Sequence, residues 1–221
     1  MKRLFLLGFL MIAGAGVLKA QRGEVVLGIK GGNNAIFKTH SALFVEAKEV
    51  WGNFAIDGGA QYNTIGRVGV AARPKYSHDL LFGRLSGEVL FDYTNQGRVN
   101  SYAIGCGASL DIRDLWVTMG YYHRTMALGG DMLYEPFNIY YELGVRCLPK
   151  VEQWDLNFIL TNSRIFELER HYQPSVVLEG WWYPLNRLGV QVGINYKPAG
   201  MFHISSDYYQ LYANIGVCCR W

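Results

Sequence analysis

The C-terminal stretch Tyr209-Gln-Leu-Tyr-Ala-Asn-Ile-Gly-Val-Cys-Cys-Arg-Trp221 alternates strictly between two faces. One face is apolar and carries Tyr209, Leu211, Ala213, Ile215, Val217, Cys219 and Trp221. The other face is polar or small, from Gln210 to Arg220. This alternation predicts a strand with lipid on one side and a polar interior on the other. A soluble protein rarely ends in such a strand because its open edge would pair with other chains, whereas a closed barrel has no edge.

Residues 1–20 predict a secretory signal peptide. Lys2 and Arg3 precede an apolar run over residues 4–18, which is shorter than the roughly 20 apolar residues of a membrane helix. Cleavage is expected after Ala20, and residues 13–15 offer an alternative site. We therefore expect an exported chain whose residues 21–221 form a single barrel domain.

Positive and negative charges balance once this segment is removed. The full chain has 21 Lys and Arg against 18 Asp and Glu, and residues 1–20 hold three of the basic residues and no acidic one. Nucleic-acid binding requires a clustered basic face, so no nucleic-acid partner is expected.

The four cysteines predict neither a metal site nor a redox motif. Cys106, Cys147 and Cys219 share the phase of their apolar neighbours, which favours small lipid-facing hydrophobic side chains. No Cys-x-x-Cys pair occurs, so a zinc site is not indicated. Disulfide formation in an exported chain stays an alternative.

Alternating segments separated by turn residues predict the strands. These segments cover residues 24–31, 41–50, 53–62, 65–73, 80–93, 100–113, 115–126, 136–148, 151–163, 173–184, 187–197 and 207–221. Most are long enough to cross a bilayer as tilted strands, which takes roughly 9–11 residues. The expected fold class is all-β, a transmembrane antiparallel up-and-down β-barrel of about 12 strands, with 10 or 14 strands as alternatives.

The lengths of the connections predict the orientation of this barrel, because periplasmic turns are short and outer loops are longer. Inner turns are expected at residues 51–52, 74–79, 114, 149–150 and 185–186. Outer loops are expected at residues 32–40, 63–64, 94–99, 127–135, 164–172 and 198–206.

Aromatic residues near the strand ends predict interfacial girdles: Trp51, Tyr62, Tyr93, Trp116, Tyr121, Trp154, Trp181, Trp182, Tyr183, Tyr196, Tyr208 and Trp221.

Together, the signal peptide, the alternating strands and the terminal Leu211–Trp221 pattern resemble a Gram-negative outer-membrane β-barrel. The resemblance covers the mature chain at the level of the class and implies a location in the outer membrane. It also implies contacts with outer-membrane lipids and with the barrel-insertion machinery. The assembly signal read by that machinery would include Tyr209, Leu211, Ile215, Val217 and Trp221. The mature start at Gln21 and the Tyr-rich composition are similar to barrels of the Bacteroidota, and no specific family is assigned.

Charged residues in the inward phase predict the lining of the lumen. The strongest candidates are Arg84, Glu88, Asp92, Asp111, Arg124, Glu142, Arg146, Asp155, Glu179 and Arg187. They would either line a water-filled passage or pair with one another and close it. We expect some Arg–carboxylate pairs to reach across the lumen and constrict it. An apolar ligand would require an apolar interior, which these charges contradict.

His123 and Thr125 are weak catalytic candidates. The placement of His123 resembles that of the His-x-Ser pair of outer-membrane acyl hydrolases, on the lipid-facing side of a strand near the outer leaflet. Thr125 stands where those enzymes carry serine, and a β-branched hydroxyl is a poorer nucleophile without a dedicated base. His40, His171 and His203 fall in three outer loops without paired metal-ligand spacing, so neither a metal nor a cofactor is expected.

The sequence therefore favours an outer-membrane β-barrel without catalytic activity. It would act as a narrow channel, or it would bind a ligand or a protein partner. Two alternatives remain: a lipid acyl hydrolase that uses His123, and the barrel subunit of a larger envelope assembly.

Overall fold

Twelve antiparallel strands close into one barrel. The computed structural model describes residues 22–34, 38–64, 66–96, 99–148, 153–164, 167–168, 174–198 and 210–221. The barrel strands are β1 (Arg22–Asn34), β2 (Lys38–Trp51), β3 (Phe54–Asn63), β4 (Arg67–Leu80), β5 (Gly83–Gln96), β6 (Val99–Ile112), β7 (Leu115–Leu128), β8 (Asp131–Arg146), β9 (Trp154–Thr161), β12 (Ser175–Leu185), β13 (Leu188–Lys197) and β14 (Gln210–Arg220). Between β9 and β12, β10 (Ser163–Arg164) and β11 (Glu167–Leu168) form a separate short hairpin.

The first and last strands close the barrel. β14 pairs with β1 in a continuous register that includes Ile215 opposite Ile29. The inner end of the barrel is the end at which β1 begins and β14 ends. There the Gly23 and Trp221 backbones exchange hydrogen bonds of 3.1 and 3.0 Å. The predicted fold class and strand number are therefore confirmed. Tyr209 of the predicted terminal strand lies outside the described residues.

The alternation read from the sequence separates an outer from an inner surface. On β14 and β1, Ile215, Val217 and Leu27 point outward, and more than half of each side chain is exposed. Their neighbours Val26 and Cys218 point inward and are buried. Exposed apolar side chains in a continuous outer band are what lipid contact requires of a barrel.

Several connections differ from the predicted ones. β4 continues through Pro74, and the turn to β5 lies at Leu81 and Phe82 instead of residues 74–79. The β4–β5 register is the same on both sides of Pro74, with Ala72 opposite Phe91 and Lys75 opposite Glu88, so the proline interrupts the ladder only locally.

The predicted long loop at residues 127–135 is a tight turn. Gly129 and Gly130 connect β7 to β8, and both have positive φ, +60° and +117°. Glycine adopts these angles without a steric penalty, so the two strands continue to the turn itself.

The aromatic girdle is also smaller than predicted. Trp154 and Trp182 stack on the outer surface, with their ring centroids 5.5 Å apart. Trp116, Trp181 and Tyr183 instead occupy inward register positions, so their assignment to the girdle is wrong. Tyr208 lies outside the described residues. No helix in the described part of the chain is long and apolar enough to cross a membrane.

Candidate lumen site

A chain of charged side chains runs along the inner wall from β2 to β5. Lys75 Nζ on β4 lies 3.1 Å from Asp57 Oδ2 on β3 and 3.3 Å from Glu88 Oε2 on β5. Lys48 Nζ on β2 lies 4.0 Å from Asp57 Oδ1. Only 2% of the Glu88 side chain is exposed, so its charge depends on these partners for stabilisation.

Tyr140 extends this chain to β8. Its hydroxyl donates a hydrogen bond of 2.8 Å to Glu88 Oε1, although two strands, β6 and β7, lie between the two residues along the wall. The tyrosine spans this gap by lying over Gly120 on β7 and Gly107 on β6. A Cβ at either glycine would collide with the Tyr140 ring or hydroxyl. These two glycines therefore allow the tyrosine to lie along the wall.

Apolar side chains pack around the same tyrosine. Leu90, Ala103 and Tyr122 point inward from β5, β6 and β7 and form a buried cluster with Tyr140. Leu90 and Tyr122 have no exposed surface. This part of the wall is buried and close-packed, which fixes the position of the Glu88–Tyr140 hydrogen bond.

A second inward cluster lies on the far side of the barrel. The Tyr183 hydroxyl on β12 donates a 2.7 Å hydrogen bond to Glu24 Oε2 on β1. The Arg220 guanidinium lies 3.9 Å from the centroid of the Tyr183 ring. The ring passes close to Gly189, and Val26, Phe44 and Cys218 pack with it. Both clusters place a tyrosine over glycine and end on a carboxylate.

Inward side chains on several strands are shielded from solvent. Tyr140 on β8 and Val177 on β12 are each 1% exposed, and Gln191 on β13 is 4% exposed. A wide water-filled passage would leave such side chains in contact with solvent. Any passage along the described wall is therefore narrow.

Except for Arg187, the remaining predicted lumen residues also lie on the inner wall. Arg84 pairs with Asp79 at 2.6 Å near the inner end, and Arg124 pairs with Glu135 at 3.8 Å. Arg146 lies 3.5 Å from Asp155 and 3.3 Å from Asp114. Asp92, Asp111 and Glu179 occupy inward positions opposite Ala103, Trp116 and Gly193. Arg187 lies in the turn between β12 and β13.

These ion pairs do not reach across the lumen. Each joins neighbouring strands or an adjoining turn, so the predicted pairing across the lumen is wrong for Arg84 and Arg146. Glu142 accepts a 2.7 Å hydrogen bond from Trp116 Nε1 on β7. The ion pairs form along the wall instead of across the lumen because neighbouring strands place paired side chains about 5 Å apart, whereas the opposite wall is much farther away.

Lys48, Asp57 and Lys75 are the members of the charged row that sequence reasoning missed. Lys75 is absent from the predicted wall because Pro74 indicates a turn. The alternation of Arg73, Lys75, Ser77 and Asp79 through the proline is the signal that places Lys75 inward.

His123 and Thr125 lie on the outer surface of β7, opposite Ile104 and Tyr102. The His123 ring contacts Tyr121 at 6.0 Å and Tyr134 at 6.3 Å, measured between ring centroids. Its buried Nδ1 has no hydrogen-bond partner in the described part of the chain. A catalytic histidine base is oriented through its second nitrogen, and this histidine lacks that support. The geometry therefore does not favour the acyl hydrolase.

The histidines do not assemble a metal site in the described ranges, where no group of three His, Cys, Asp or Glu side chains could hold an ion. His40 belongs to β2 rather than to a loop, and its ring packs edge-to-face on Tyr212 at 5.2 Å. His171 and His203 lie outside the described residues. All four cysteines are free thiols.

Solved structures with the same fold include proteins of several kinds. The KdgM porin in complex with disordered oligogalacturonate is 11% identical, with a TM-score of 0.54 over 88% of this chain and 98% of that chain. The translocator domain of the autotransporter NalP from Neisseria meningitidis is 13% identical, with a TM-score of 0.57 over 99% and 96%. Outer membrane phospholipase A from Escherichia coli is 8% identical, with a TM-score of 0.54 over 92% and 91%.

These similarities show the outer-membrane β-barrel fold and nothing finer, because one fold carries a porin, a translocator and a phospholipase. No protein-family model matches the chain. No curated protein matches it either.

Proposed function

We propose that this protein is a narrow outer-membrane channel for small polar solutes. The observation that carries the proposal is the row of Lys48, Asp57, Lys75 and Glu88 on the inside of a closed barrel. Charges are costly in a dry interior unless they are paired or hydrated. An interior that holds them suits water and polar solutes and is unsuitable for an apolar ligand.

The pairing of these charges determines what the passage selects. Both signs alternate along the wall, and the acidic and basic partners lie within 4.0 Å of each other. Such a wall has little net field, so only weak selectivity between small cations and anions is expected. Ion conductance across planar bilayers tests the proposal: a small, steady conductance supports it. Complete absence of conductance would favour a barrel that binds a ligand or an envelope partner.

We also propose that the mature protein begins at Gln21 and resides in the outer membrane. The exposed apolar outer band and the strand closure at Trp221 support this location. Outer-membrane lipids and the insertion machinery would be its partners, and the Tyr-rich composition supports an origin in the Bacteroidota. The protein should fractionate with outer membranes, migrate differently on gels before and after boiling, and give an N-terminal sequence starting at Gln21. Recovery in the soluble periplasmic fraction would contradict this location.

A further inference from the structure

A depression of about 520 Å³ lies on the outer surface of β4 to β8. Two rows of outward residues border it, and the members of each row are paired across neighbouring strands. Ala72, Phe91, Ile104 and His123 form one row. Val70, Tyr93, Tyr102 and Thr125 form the other, closer to the outer loops.

The depression results from a contrast in side-chain size. β4 contributes Val70 and Ala72, and the outward position opposite Ala72 on β3 is Gly58. The rings of Phe91, Tyr93 and Tyr102 rise beside these small side chains. Tyr93 and Tyr102 pack against each other at 4.9 Å between centroids, so the raised side is a packed wall.

The chemistry of the depression matches an acyl chain. Its lining is mostly aliphatic and aromatic, and the Asp92 carboxylate occupies the inward phase on the other side of the wall. The next row toward the outer loops contains two asparagines, and Asn95 Nδ2 donates a hydrogen bond to Asn100 Oδ1. Toward the outer loops, the surface therefore changes from the apolar depression to two tyrosines and then to two asparagines. A lipid of the outer leaflet changes in the same order, from acyl chain to interface to headgroup.

We propose that this depression binds an acyl chain of an outer-leaflet membrane lipid. The chain lies against Ala72, Phe91 and Ile104, and the polar part of the lipid faces Asn95 and Asn100. The site goes beyond channel activity and rests only on the proposed location in a membrane. It does not require His123 to be catalytic, because binding uses contact surface alone.

Substitution of Ala72 by tryptophan fills the depression and tests the proposal. Ala213→Trp is the matched control, because Ala213 points outward near the outer end of β14, the strand opposite β6 in the barrel. Each protein is reconstituted in dipalmitoyl phosphatidylethanolamine vesicles and extracted with a bile-salt detergent that has no alkyl chain. Retained lipid per barrel is then counted by native mass spectrometry.

Wild type and Ala213→Trp should retain similar amounts of lipid per barrel, and Ala72→Trp should retain about tenfold less. A tenfold difference is expected when roughly two buried methylene groups lose their contact. Equal retention by all three proteins would overturn the lipid site and leave the channel untouched. Dimers of the wild type that disappear in Ala72→Trp would also overturn it, in favour of a second copy of this chain. Failure of the wild type to float with vesicles would overturn the lipid site and the proposed membrane location together.

Discussion

Replacing Ile215 with arginine is expected to prevent most of the protein from inserting. Ile215 lies at the middle of β14 and points outward, with half of its side chain exposed. A charge at the bilayer midplane on the lipid-facing side of a barrel costs roughly 2–4 kcal/mol. The folded fraction in vesicles, measured by the gel shift between boiled and unboiled samples, should fall strongly.

Leu188→Arg is the matched control for that substitution. Leu188 also points outward, but it begins β13 at the inner end of the barrel. Near the interface the same charge costs only about 0–1 kcal/mol, because the guanidinium reaches water. Equal insertion of both variants would show that the outer band does not face lipid.

Replacing Glu88 with leucine is expected to lower the free energy of unfolding by about 3 kcal/mol, the lower end of the range for breaking a buried pair. The substitution leaves the Tyr140 hydroxyl and the Lys75 ammonium without this acceptor. The effect stays at the lower end because Asp57 still pairs with Lys75. Urea titration of the protein folded in vesicles measures the change.

The control for Glu88 is Asp79→Asn, on the other strand of the same hairpin. Asp79 pairs with Arg84 at 2.6 Å, but 69% and 58% of the two side chains are exposed. Solvent screens exposed ion pairs and they contribute little to stability, so this variant should unfold almost like the wild type. An equal loss in both variants would mean that burial does not distinguish the two ion pairs.

The sequence predicts the strands well where one surface faces lipid, because every second residue then has to be apolar. β13 and β14 are examples: Val192 and Ile215 point outward next to Gln191 and Gly216. The prediction of a turn at residues 74–79 failed because strand pairing in the sheet outweighs the local turn preference of proline. Pro74 indicates a turn, but the pairing of β4 with strands on both sides carries it through.

The contacts of the inner wall depend on residues far apart in the chain. Tyr140 reaches Glu88 only because Gly107 and Gly120 on the intervening strands carry no side chain. The phase of a strand predicts that these residues share a surface, but not where a ring lies along it. The outer depression depends in the same way on side-chain sizes across β4 to β8. Neither feature has a signal within a single strand.

Single-channel conductance in planar bilayers tests the central claim most directly. The barrel should give a small, steady conductance, well below that of a 16-stranded porin in the same bilayer, because wide aqueous channels belong to the larger barrels. Glu88→Gln keeps an acceptor oxygen for Tyr140 and removes one negative charge, so it should shift selectivity towards anions. A conductance as large as the porin's, unchanged by Glu88→Gln, would contradict the narrow charged passage. So would folded, inserted barrels that conduct no ions.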